Sequence, residues 1–172
     1  MAANIPVNFK SVWDNHPHYV KDLIGGQLKT FFLSLPVDNR ETCCVALSYA
    51  LNYSGGVINN DSSIINADQG RFIRTMKSSD EIDYIFEVSD FKWYLNAMYG
   101  IAENYKGDEK TLKESICNRK GIISLGHRHI SIWDGQKYNY EELYYDLWTS
   151  QHNSSVAKRG IFFWEITSAW GF

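Results

Sequence analysis

The sequence is poor in cysteine, with three among 172 residues. Three cannot all pair, and the neighbours Cys43 and Cys44 are badly placed to pair with each other, so a disulfide framework of the small secreted kind is excluded. Charge of one sign is also missing: 17 basic against 20 acidic residues leave a net charge of −3, which gives no reason to expect nucleic acid or an anionic membrane as partner. No apolar run approaches the roughly 20 residues needed to cross a bilayer. Met1 to Pro6 has no basic patch followed by an apolar core, which predicts no cleavable export signal. Neither a Cys-x-x-Cys nor a His-Glu-x-x-His spacing is present, so the common structural and catalytic zinc patterns are lacking. There is no internal repeat and no low-complexity tract.

What is present is a folded globule's composition, 44% hydrophobic and 15% aromatic, in a length that fits one domain, 1–172, with one substantial core. Phe9, Val12, Trp13 and His16 at helical spacing after Pro6 predict a short first helix. Val20, Leu23, Ile24 and Leu28 continue an apolar pattern that Gly25-Gly26 interrupts, which predicts a turn or a close backbone approach. After the turn residues Pro36 to Asn39, a run from Glu41 to Asn52 reads as a helix closed near Tyr53 to Gly56. Residues 59–79 read mostly as loop, with a short helix or strand around Arg71 to Met76. Tyr84 to Val88 predicts a strand or strand end, Ser89-Asp90 the cap of a helix whose apolar positions are Phe91, Tyr94, Leu95 and Met98, and Gly100 its end. Asp108 to Cys117 predicts a thinly apolar helix. Gly121 to Leu125, His129 to Trp133, Gln136 to Tyr140 and Gly160 to Ile166 read as strands, the middle two joined by a tight turn at Asp134-Gly135. Helices first and an antiparallel sheet later make the class α+β.

The chemistry-bearing stretch is the helix that opens with Cys43 and Cys44. The first N–H groups of a helix lack internal partners, and their partial positive charge favours a thiolate and can receive an oxyanion. A histidine on a later strand would complete a thiol acyl-transfer site, taking the thiol proton and returning it to the leaving amine. His127 and His129 are the candidates, on one face if the strand reaches both. The rival reading of the same residues is zinc held by His127, His129 and one of Cys43, Cys44 or Cys117.

In their order these residues resemble the fourth family of type VI secretion amidase effectors, bacterial toxins that cut peptidoglycan stem peptides. The resemblance is carried by Phe9 with Trp13, Ile24-Gly25-Gly26, Thr42-Cys43, Leu47-Ser48-Tyr49 and Leu51-Asn52, then Tyr84-Ile85-Phe86, Val88, Asp90, Tyr94 and Leu95. It continues through Gly121-Ile122-Ile123, His129, Ile132-Trp133-Asp134-Gly135 and Trp164. It implies a papain-like (NlpC/P60-type) fold, with an N-terminal nucleophile helix packed on an antiparallel sheet. It also implies that the nucleophile, five residues before Ser48, is Cys43, and that the base, four residues before Trp133, is His129. The family's glycine before the histidine is Arg128 here, and its aspartate eleven residues after the histidine is Tyr140. A two-residue turn would pair Tyr140 with His129, whereas a bulge would bring Asn139 or Glu141 to that face. The orienting residue therefore stays open among the three.

The resemblance further implies hydrolysis of the D-glutamyl–meso-diaminopimelate bond without metal or cofactor. Delivery is by the type VI machinery, without a signal peptide, into the periplasm of a target bacterium, and a cognate immunity protein blocks the cleft. Two other readings use the same residues: an effector fold that has lost turnover and acts by binding, and a general cell-wall cysteine peptidase.

Overall fold

A computed structural model describes residues 3–17, 19–36, 42–60, 63–106, 113–139 and 159–167. Among these residues four helices are formed: α1 (Phe9–Asn15), α2 (Gly26–Ser34), α3 (Thr42–Asn52) and α4 (Val88–Tyr99). The strands are β1 (Ile65–Asn66), β2 (Arg71–Phe72), β3 (Thr75–Lys77), β4 (Asp83–Ile85), β5 (Glu103–Tyr105), β6 (Gly121–Leu125), β7 (His129–Trp133) and β8 (Ile161–Glu165). They make two small hairpins, β1–β2 and β3–β4, and one antiparallel sheet in the order β5-β8-β6-β7. The α+β expectation holds, with helices contributed first and the main sheet last.

Alternation along the sheet sorts its side chains onto two faces. Ile122, Ile130, Ile132, Phe162 and Trp164 join one apolar cluster with Cys43, Leu47 and Leu51 of α3 and Phe91 and Leu95 of α4. Ile123, Leu125, Trp133, Ile161 and Phe163 join a second with Ile116 and Tyr138. A third cluster, Leu28 and Phe32 with Val45, Ala46 and Tyr84, fastens α2 to the far side of α3. The cysteine helix is thus covered on both flanks. Truncating one of its buried leucines, such as Leu47, is a cavity mutation that costs about 2–5 kcal/mol.

Several expectations are met closely. The Asn8 side chain caps α1 by accepting from the Ser11 N–H at 3.0 Å. The glycine doublet is a close approach: a Cβ on Gly25 would lie 2.6 Å from Ser79 Oγ, and Gly26 takes φ +56. The helix that starts there, α2, was not announced by the doublet. Three readings are corrected and one, near Arg71, is sharpened. The cap of α4 is Glu87 without a side-chain bond, while Ser89 and Asp90 lie inside the first turn. Asp90 is instead drawn inward as an acceptor. The element near Arg71 is two short strands. The turn after Trp133 is not a two-residue one: Trp133 pairs with Tyr138, leaving 134–137 as the connection. Its aspartate explains the extra length, because Asp134 Oδ1 accepts from both Gln136 N–H and Lys137 N–H at 2.8 Å, with Gly135 at φ +102. The close hairpin partner of β7 is the preceding strand, β6, through the turn 126–128. Within the expected Asp108–Cys117 helix, residues 113–115 are helical and 108–112 lie outside the described residues, as do Val37 to Asn39.

Candidate active site

Cys43 is the second residue of α3, and the helix is held from several sides. Ser48 is fully buried; its Oγ donates to the Ile85 carbonyl at 3.1 Å and accepts the Ile85 N–H at 3.0 Å, stapling α3 to β4. Asn52, one turn further on, donates to the Asp83 carbonyl at 3.0 Å and accepts the Ile58 N–H at 2.7 Å. Both ends of β4 are therefore tied to α3, which fixes where the thiol at the helix start can go.

The partner surface is the outer edge of β7, the last strand of the sheet. Alternate residues of an antiparallel strand turn their backbone groups to the same side. At Ile132 the outward carbonyl accepts the Asn139 N–H at 3.1 Å. Two residues earlier, the outward N–H of Ile130 donates to the Cys43 sulfur. The thiol thus takes the ladder position next to the one filled by the return segment. His129, the first residue of β7 and 6% exposed, hydrogen-bonds the same sulfur through its side chain.

These contacts hold the Cys43 thiol well below its usual range. The Cys44 thiol alongside is the largest contributor, burial opposes it, and the His129 hydrogen bond and charge and the Ile130 N–H follow. An S–H group is a weak donor and cannot take up the proton, whereas an imidazole can. Of the groups that touch the Cys43 sulfur, His129 is the one that can take up its proton, while Cys44 and the Ile130 N–H are donors to it. A thiol with a lowered pKa beside an imidazole at a helix N-terminus is suited to attack on a carbonyl carbon, because the first N–H groups of a helix have no intrahelical partner and can receive an oxyanion.

The remaining sequence candidates fall elsewhere. Asn139 is buried with its backbone paired to Ile132, and its side-chain amide donates to the Trp13 carbonyl at 3.0 Å, at the end of α1. Tyr140 and Glu141 lie outside the described residues. His127 is not on the strand but in the β6–β7 turn, where its Nε2 stands 3.3 Å from Asp68 Oδ2. Burial first, then the charges of Arg159 and Lys92, push it down to about 4, against the pull of Asp68. Burial also disfavours the charge on Asp68, but the Trp93 indole N–H at 2.7 Å and Lys92 at 3.2 Å more than offset this and hold its carboxyl below the usual range. Cys117 is exposed. Among the described residues, no three His, Cys, Asp or Glu side chains stand close enough to hold a metal, so the zinc set considered above is not assembled.

Sequence reading passed over Asp68, Lys92 and Arg159. They meet the β6–β7 turn only through the tertiary fold. Asn66 places Asp68 by accepting the Asp68 and Gln69 N–H groups at 3.1 and 3.2 Å, and by donating to buried Asp90 at 2.8 Å. Arg71 clamps Asp90 at 2.9 and 3.2 Å. The only local signal was the turn composition of Asp68-Gln69-Gly70.

A cavity of about 530 Å³ adjoins this site, between α2, α3, the β4–α4 junction and the β6–β7 turn. Neither Cys43 nor His129 lines it; Val45 and Arg128, their close neighbours in the chain, do.

Comparison with known proteins agrees with this architecture. Residues 39–164 match the sequence model of the family described as type VI secretion system amidase effector protein 4. No curated protein is detectably similar in sequence. Among solved structures, the effector–immunity complex Tae4–Tai4 from Enterobacter cloacae superposes with a TM-score of 0.68 at 19% identity, covering 95% of this chain and 100% of that one. The effector Tae4 from Enterobacter cloacae alone gives 0.64 at 20% identity, covering 97% and 100%. The Salmonella typhimurium effector in complex with the Enterobacter cloacae immunity protein gives 0.66 at 20%, covering 94% and 99%.

Proposed function

The chain belongs to the family of type VI secretion system amidase effector protein 4, and from that premise we propose that it is a cysteine amidase that hydrolyses the D-glutamyl–meso-diaminopimelate bond of peptidoglycan stem peptides. The observation that carries the reading is the Cys43 thiol between the His129 side chain and the Ile130 N–H at the start of α3. The Cys43 thiolate attacks the γ-carbonyl carbon of the D-glutamyl residue, and the oxyanion that forms is received by N–H groups at the helix start. His129, holding the thiol proton, protonates the diaminopimelate nitrogen as the C–N bond breaks, which leaves a thioester. Water, deprotonated by His129, then attacks the thioester, releasing the D-glutamyl γ-carboxylate and restoring the thiol.

A third group that orients the imidazole belongs to this reading, with Asn139, Tyr140 and Glu141 as the sequence candidates. Such an effector is delivered by the type VI machinery and acts in the periplasm of a target bacterium. The immunity complexes formed by its structural relatives support the view that a cognate immunity protein protects the producer.

The test is incubation of the purified protein with peptidoglycan sacculi and with L-Ala-γ-D-Glu-meso-diaminopimelate, with products identified by mass spectrometry. The expected products are L-Ala-D-Glu and free diaminopimelate from the tripeptide. Intact tripeptide, or cleavage at the L-Ala–D-Glu bond instead, overturns the reading.

A further inference from the structure

The cavity beside the active site has a one-sided charge. Its apolar wall includes Phe31, Phe32 and Phe86, and its polar wall contains Arg74, Arg128 and Arg159, with Glu87 as the one acid among the described lining residues. Glu87 is already engaged: it pairs with Arg71 at 3.0 Å and with Arg74, which also lies 3.7 Å from Asp90. Asp68, which stands 3.3 Å from His127 of the lining, is held by Trp93 and Lys92. Arg128 and Arg159 are left with no carboxylate partner among the described residues. Although they are far apart in sequence, the fold brings them together, because the Gly126 N–H donates to the Gly160 carbonyl at 3.0 Å and so ties the β6–β7 turn to the start of β8.

We propose that Arg128 and Arg159 form a carboxylate-binding subsite that reads a free carboxylate of the substrate flanking the scissile bond. This rests on the reading of the chain as a stem-peptide amidase. A D-glutamyl residue joined through its γ-carboxyl keeps its α-carboxylate three carbons from the reacting carbonyl, and diaminopimelate carries a further carboxylate on its distal centre. Either offers two coplanar oxygens to a guanidinium fork, a geometry that lysine or glutamine cannot reproduce. Arg128 directly precedes His129 at the start of β7, so the turn that carries one end of this cavity also leads into the strand that meets the Cys43 sulfur.

Two substrate changes separate the sources of the carboxylate. In one tripeptide the D-glutamyl α-carboxylate is converted to the carboxamide; in the other, L-lysine replaces diaminopimelate and removes the distal carboxylate. Both arginine side chains are exposed, so Arg128→Gln and Arg159→Gln fold normally, which circular dichroism checks. The wild-type protein is expected to lose about 10–100-fold in kcat/KM on one of the two altered peptides, mainly through KM, the size of a lost charge-assisted pair. In either arginine variant that preference is expected to shrink to within about twofold, as the guanidinium fork is gone. Equal wild-type rates on all three peptides, or a preference that survives both substitutions, overturns the subsite and leaves the amidase reading standing. Failure of the wild-type protein to cut the unmodified tripeptide sinks the amidase reading and the subsite with it.

Discussion

The turn between β6 and β7 and the strand that follows it each carry a histidine, two residues apart, and treat it in opposite ways. His129 opens the strand with its side chain against a thiol whose proton it can share. His127 sits in the turn beside Asp68, yet burial and the cations Arg159 and Lys92 keep it neutral down to about 4. A carboxylate neighbour alone does not make a charged histidine; what else faces the ring decides. The strand start is tied on both sides by backbone geometry, whereas the turn is assembled from side chains far apart in the sequence. The first location suits bond-making, and the second suits shaping a basic rim.

The sharpest break of this comparison is at the thiol. Cys43→Ala is expected to remove turnover by about 10⁴-fold or more, since no other nucleophile replaces it. Iodoacetamide near neutral pH should label Cys43 ahead of Cys44, which is fully buried. Cys44→Ala is expected to stay active at a stability cost of roughly 1 kcal/mol. Turnover in Cys43→Ala comparable to wild type would remove the whole assignment.

Next in size is the contrast between the histidines themselves. His129→Ala is expected to lower kcat about 10²–10⁴-fold. His127→Ala is expected to stay within about tenfold of wild type, because its loss disturbs Asp68 and the rim but no reacting atom. The comparison is read from kcat and from the rate of Cys43 alkylation, which falls only when the thiolate loses its partner. Reversed effects would mean that β7 begins two residues earlier than the Leu125–His129 pair indicates.

The parts legible in the sequence were those with a local cause. A cysteine at a helix start, the closing glycines after Asn52, and the fully buried strands 121–125 and 129–133 follow from caps and apolar runs. The strands of two or three residues, such as β1, β2 and β5, have too few positions to show a period. The turn at Asp134-Gly135 misled because the same dipeptide serves a two-residue turn and an aspartate-capped four-residue one. The Asp68, Lys92 and Arg159 surroundings of His127 depend on the fold as a whole.

That misread turn sets the third prediction. The expected pairing of Tyr140 with His129 presumed two connecting residues, and the chain uses four between Trp133 and Tyr138. The orienting group is therefore sought by substitution rather than by register: Asn139→Ala, Tyr140→Phe and Glu141→Gln are compared for kcat and urea midpoint. One of the three is expected to lower kcat by about 10²-fold, less than the roughly 10⁴ of a serine triad because the thiolate pair is already favoured. Wild-type turnover in all three would show that none of them orients the imidazole.

The smallest expected effect concerns stability rather than turnover, and it isolates the turn from the strand. His127 titrates at about 4 in the folded protein and near 6.5 in an unfolded chain. Between those values the unfolded chain binds a proton that the folded one does not, so folding stability falls as the pH is lowered from about 6.5 to 4 and the slope ends below that. The contribution is at most about 3 kcal/mol, given about 1.4 kcal/mol per unit. Asp68 is lowered instead, so its own contribution is lost only at more acid pH, below the window of His127. His127→Gln is therefore expected to flatten the stability curve between about pH 6.5 and 4, measured as urea midpoints at several pH values, while leaving the acid limb below it. An unchanged slope in that window would show that His127 is protonated in the folded state, with Asp68 prevailing over Arg159 and Lys92.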